Sequence, residues 1–250
     1  MSTLSRTVNP DLPARIAKMI EAFEGGWLAG NFDGQIISWG PFQWNLGQGT
    51  LQPLMKRIVA LDPLTVQRHL GADIMPAIKT DHLVQFAKQQ ILTPSGNART
   101  DWQKRFARLA QEPVTQRVFA EFMTPYLRAG ERVCTELDFH TERAYALGVD
   151  VAVQNGGPRK DHFDLYRQRL GDGSEFPDEW MRLKLFAAAV ADRALARWRD
   201  DVYARKSTIA LGRGTVHKRA YVMHEDFGIR YWADANARVI APWYVPTPTE

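Results

Sequence analysis

A single cysteine, Cys134, among 250 residues excludes a disulfide framework, because a lone thiol has no partner within its own chain. With no basic neighbour in sequence, it is expected as a core residue. Long apolar runs are missing as well: the best candidate, Leu185 to Val190, lies among Arg182, Lys184, Asp192 and Arg193. Nothing approaches the roughly 18–20 consecutive apolar residues that span a bilayer, so no membrane span is expected. No large excess of one charge exists either, since 32 Lys and Arg against 28 Asp and Glu leave a net +4. That is a weak pull on an anionic partner. HExxH, paired CxxC, GxxxxGK[ST] and GxSxG are all absent, which removes the usual zinc, P-loop and serine-hydrolase signatures. The six histidines are scattered, and His217 with His224 is not a usual ligand spacing, so neither a metal nor an organic cofactor is expected. The opening stretch MSTLSRTVNPDLP lacks the apolar region of a secretory signal. The expectation is a protein that stays cytoplasmic until a non-Sec route, phage lysis or a secretion system, releases it. An immunity or secretion partner is left open.

What the chain does hold is 45% apolar residues, too many for a disordered polymer, and eight tryptophans. Asn9-Pro10-Asp11 and Pro13 open a first helix on which Ile16, Ile20 and Phe23 recur at helical spacing. Gly25-Gly26 stops it, which puts Glu24 at a helix end. The segment WLAGNFDGQIISWGPFQWNLGQG then changes character: Asp33-Gly34 is a turn dipeptide, Gln35 to Trp39 is short and β-branched, and a hairpin or small sheet follows. Helices are expected near 51–60, 63–70, 73–91, 101–109, 112–128, 130–147 and 179–204, with loops at Thr93–Arg99 and Gly156–Pro177. Residues 1–215 form the main domain in this reading. Residues 216–250 form an irregular or short-stranded extension packed on it.

Three constellations can carry chemistry. A carboxyl at the end of an apolar helix, Glu24, can be desolvated and stay protonated, while a second on a facing hairpin, Asp33, stays ionised. That pair meets the acid-and-base requirement of glycoside hydrolysis, and Ser38 could orient a water. Ordinary cap and turn roles fit the same spacing. Next, Asp150 lies among apolar residues in ALGVDVAVQNGG and needs an arginine partner if buried, so a core ion pair is favoured over catalysis. Last, Arg193, Arg197 and Arg205 share helical spacing and make one basic face, whereas Arg199 and Lys206 are expected on a solvated one. Acidic residues interrupt the stripe and no nucleic-acid signature is present, which argues against a nucleic-acid partner.

In this order and spacing the chain resembles the lysozyme-like superfamily, and within it the family 46 chitosanases and related bacterial or phage peptidoglycan hydrolases. The likeness runs from a helix ending in Glu24, through Asp33-Gly34, Ser38 and Gly40, to ALGVDVAVQNGGP, which is similar to the family's YYDAIVMHGPG-like segment. It covers about residues 12–50, 140–160 and 185–214. The resemblance implies a mainly α, two-lobed fold with a small β-hairpin or sheet near the N-terminus and a cleft between lobes. It implies Glu24 as general acid, Asp33 as general base on a water held by Ser38, and Asp150 as the structural aspartate paired with Arg193 or Arg205. SWGPFQWN is also similar to the G-x-x-Q turn of goose-type lysozymes and transglycosylases, which places Gln43 and Asn45 in saccharide subsites. Trp39 and Trp44 then become sugar-stacking candidates beside Trp27, with Asn155 as a further substrate contact, while Trp180 and Trp198 are assigned to the core. A pI near 9.2 leans toward peptidoglycan rather than cationic chitosan. A muramidase-type hydrolase is the leading expectation, a chitosanase the alternative, and a non-catalytic cell-wall or nucleic-acid binding module the competing class.

Overall fold

A computed structural model describes residues 7–24, 28–31, 34–172, 175, 178–234, 239–240 and 244–245. Among these no helix is long and apolar enough to cross a membrane. The chain divides into two compact units, one built from residues 1–23 and 125–250 and the other from residues 24–124.

Helix α1 (Leu12–Glu24) buries Leu12, Ile16, Met19, Ile20 and Phe23. That is the stripe its sequence spacing predicts. In the second unit a three-stranded antiparallel sheet follows, from β2 (Leu28–Ala29), β3 (Ser38–Trp39) and β4 (Trp44–Asn45). Its register pairs Ala29 with Ser38 and Ser38 with Asn45. Short helices pack around it: α2 (Leu51–Leu61), α3 (Pro63–Leu70), α4 (Ile74–Lys79), α5 (Leu83–Phe86) and α6 (Thr100–Ala110). The single helix expected over 73–91 is instead α4, α5 and a π-helical turn, Ala87–Ile91. Thr80 closes α4 by donating its hydroxyl to the Pro76 carbonyl at 2.8 Å, which accounts for the interruption. The loop 93–99 is pinned to the sheet where the Asn31 amide donates to the Gly96 carbonyl at 2.7 Å.

Helix α7 (Pro113–Leu137) runs unbroken through residue 129, where the sequence reading separates helices 112–128 and 130–147. It is followed by α8 (Glu142–Asn155), α9 (Lys160–Leu170), α10 (Glu179–Asp192) and α11 (Arg199–Leu211). Gly130 is a packing glycine: a Cβ there would sit 2.8 Å from Val149 Cγ2 and 2.9 Å from the Tyr145 carbonyl. The chain turns later, at Asp138 in left-handed conformation, and Thr141 caps α8 by accepting from the Ala144 amide at 3.2 Å. Helix α9 occupies what was expected as loop, burying His162, Phe163 and Tyr166. The long helix expected over 179–204 is interrupted between Asp192 and Arg199, where Arg159 takes the freed Arg193 carbonyl at 3.2 Å. That break ends the common stripe, and Trp180 and Trp198, expected in the core, are 38% and 42% exposed.

The chain then forms hairpin β5 (Arg213–Val216) and β6 (Arg219–Val222), helix α12 (Met223–Phe227) and the strand pair β7 (Trp232–Asp234) and β8 (Val239–Ile240). A last pair joins β9 (Tyr244–Val245) to β1 (Thr7–Val8). Hairpin β5–β6 straddles residue 215 and belongs to the first unit. Within that unit the buried Glu142 holds two arginines: Arg15 at 2.7 Å and Arg230 at 3.2 Å.

Candidate active site

Glu24 is the last residue of α1 and half-buried. Asp33 and Trp27 lie outside the described residues. Ser38 stands in the central strand of the small sheet, 8% exposed, between Ala29 and Asn45. The turn from β3 to β4 needs two left-handed residues, Gly40 (φ 81°) and Gln43 (φ 51°). Gln43 secures it by donating both its backbone amide (3.0 Å) and its side-chain amide (3.1 Å) to the Gly40 carbonyl.

The tryptophans of this turn are not platforms open to a sugar. Trp39 is 0% and Trp44 2% exposed. Trp39 meets Phe106 and Phe119 edge-on at 5.1 and 5.0 Å, and Trp44 stacks on Phe119 at 5.1 Å and on Phe42 at 5.7 Å. Burial in an aromatic cluster is worth more to rings of this size than a solvated face. Asn45, expected in a saccharide subsite, is likewise engaged within the protein. Its carboxamide accepts from the Gln48 amide at 2.7 Å and donates to Gln48 Oε1 at 3.2 Å, so it serves the turn. Asn155 ends α8, half-buried, and its Oδ1 has no hydrogen-bond partner among the described residues.

In the first unit Asp150 is fully buried on α8 and faces two cations from α11. Arg205 reaches Oδ1 at 2.6 Å and Lys206 reaches Oδ2 at 2.5 Å. Burial raises the Asp150 carboxyl, yet the charges of Arg205 and Lys206 outweigh it and hold the group below the ordinary carboxylate range. Arg193 does not take part. It lies 4.0 Å from Asp161, half-exposed, because the break after α10 turns it away. Lys206, expected in solvent, is 0% exposed. The ladder extends outward: Lys206 donates to Gln154 Oε1 at 2.6 Å, and Gln154 Nε2 to Asp201 at 2.9 Å. His217 continues it, 2.9 Å from the other Asp201 oxygen. Spacing carried a signal for these residues, since Asp150 and Gln154 share one face of α8, and Asp201 and Arg205 one face of α11. Among the described residues no group of three His, Cys, Asp or Glu side chains could hold a metal ion.

No family model and no curated protein match the chain. Solved structures do. A GH46 chitosanase of Gynuella sunshinyii, in complex with chitotetraose, has a TM-score of 0.57 at 14% identity, over 86% of this chain and 98% of that one. The native chitosanase of Bacillus subtilis MY002 gives 0.56 at 16%, over 86% and 97%. A third chitosanase, solved as a complex, gives 0.54 at 15%, over 84% and 95%. The chain has the fold of these proteins: mainly helical, with a small antiparallel sheet after the first helix.

Proposed function

We propose that the chain is a glycoside hydrolase acting on a β-1,4-linked amino-sugar polysaccharide, with chitosan as the leading substrate. The observation that carries this reading is the likeness to chitosanases over 84–86% of the chain, one of them bound to chitotetraose. In this reading Glu24, set at the end of an apolar helix, protonates the leaving glycosidic oxygen. Asp33 takes a proton from a water that Ser38 orients, and that water attacks the anomeric carbon from the opposite face. Peptidoglycan is the second reading, favoured by a pI near 9.2, which suits a substrate bearing stem-peptide carboxylates.

Reducing-end release from chitosan and turbidity loss of purified cell walls, measured in parallel, separate the two substrates. Glu24→Gln is expected to lower kcat on the true substrate by roughly 10²–10⁴-fold while thermal unfolding stays as in the wild type. A folded variant with wild-type turnover would remove Glu24 from the mechanism. A wild-type protein that binds polysaccharide without cleaving it would make the chain a binding module.

A further inference from the structure

The last turn of α1 ends on carbonyls that side chains of hairpin β5–β6 capture. Tyr221 donates its hydroxyl to the Ala22 carbonyl at 3.0 Å, and His217 Nδ1 lies 3.0 Å from the Phe23 carbonyl. The other ring nitrogen of His217, Nε2, lies 2.9 Å from Asp201 Oδ1. A backbone carbonyl only accepts, and so does a carboxylate, whereas a neutral imidazole carries one N–H. The ring thus stands between two acceptors, one at each nitrogen.

The backbone under His217 shows what this placement costs. His217 (φ 49°) and Lys218 (φ 68°) are the two central residues of the turn that joins Val216 to Arg219. Both are left-handed, and glycine or asparagine adopts that conformation with less strain. Asp201, in turn, is held from behind by Gln154, which links it to Lys206 and the buried Asp150. The charged groups around the ring are Asp201 from α11 and the carbonyl end of α1, with Glu24 the next residue. Lys218 and Arg219 adjoin it in the hairpin, and Arg205 covers the Phe23 ring at 5.3 Å.

From this geometry we infer that His217 is a positioning residue for Glu24. It ties the carbonyl end of α1 to Asp201 and so fixes where the next side chain of the same helix stands. The inference rests on the reading of Glu24 as general acid.

The test uses the full chain and its His217→Gly, His217→Asn and Asp201→Asn variants. Turnover of chitosan and of cell walls is measured as separate kcat and KM values. Glycine and asparagine both suit the left-handed turn, so these variants are expected to fold. His217→Gly should lower kcat roughly tenfold with KM within about twofold, the signature of a displaced acid rather than a lost substrate contact. Asparagine places an amide N–H where Nδ1 stood, so His217→Asn should return kcat to within about threefold of the wild type. Asp201→Asn, which loosens the other side of the ring, should lower kcat in the same direction, again with KM within about twofold. Wild-type kcat in His217→Gly overturns the positioning role while leaving a Glu24→Gln loss to stand for the acid. No cleavage of either polymer by the wild type overturns the Glu24 reading and this one with it.

Discussion

Asp150 shows how one buried side chain commits its neighbours. It is fully buried against two cations, so Asp150→Ala removes the buried countercharge that Arg205 and Lys206 share. The expected cost is about 3–5 kcal/mol of unfolding free energy, read by urea denaturation. An unchanged midpoint would show that the two cations find other partners. His162 adds a pH dependence of known sign. Burial pushes its imidazole down from 6.5 to about 4, and the neutral ring accepts the Arg159 amide at 3.2 Å. A depressed histidine stabilises the fold fully above 6.5 and loses that contribution as pH falls toward 4. Between pH 7 and pH 5 the protein is expected to lose about 2 kcal/mol from this group, and His162→Asn should flatten that slope. Asp150 also has a lowered value, and its own loss begins only below the ordinary carboxylate pKa of 3.8. The need of Asp150 for a cation was legible in the sequence. Which cation was not: Arg193 and Arg205 both fit the helical spacing, and Lys206 gave no sign of burial until α11 was seen to begin at Arg199.

At the scale of elements, glycine is where the sequence was both most and least readable. The Gly25-Gly26 dipeptide calls for an end to α1, and the helix ends at Glu24. Gly130, expected to lie near the start of a separate helix, is instead inside α7, packed against a partner 18 residues away. A Cβ on Gly148 would stand 2.8 Å from the Gly130 Cα, so the two helices meet at backbone contact. Gly148→Ala should destabilise by about 1–3 kcal/mol, measured as a fall in Tm, despite alanine's better helix propensity. A rise in Tm would mean that the crossing opens at little cost. Helix α9 escaped notice for a different reason. Its buried face is His162, Phe163 and Tyr166 among charged residues, a stripe too polar for hydrophobic periodicity to detect. The sugar-binding reading of Trp39 and Trp44 failed at this scale too. Their crowding near Glu24 in sequence said nothing of Phe106 and Phe119, which come from later helices and cover them.

For the whole molecule, chain order and spatial order disagree. Residues 24–124 form a unit of their own, while α1 up to Phe23 belongs with residues 125–250. Its partners are accordingly remote in sequence. Arg15 pairs with Glu142, 127 positions on, and donates to the Gly228 carbonyl, 213 positions on. The Ala22 and Phe23 carbonyls wait for Tyr221 and His217. Periodicity could announce α1 as a helix, but not that its ends are fastened by the last quarter of the chain. That arrangement has a consequence during synthesis. A ribosome delivers α1 ahead of its partners, and Phe23 meets Tyr221 and Phe227 only once those late residues have emerged. Until then Ile16, Ile20 and Phe23 are a sticky strip on a nascent polypeptide, the kind of surface chaperones hold. The Phe23 carbonyl is not gripped until the hairpin carrying His217 has left the exit tunnel. If Glu24 is the acid proposed above, a half-made chain would carry it at a loose helix end.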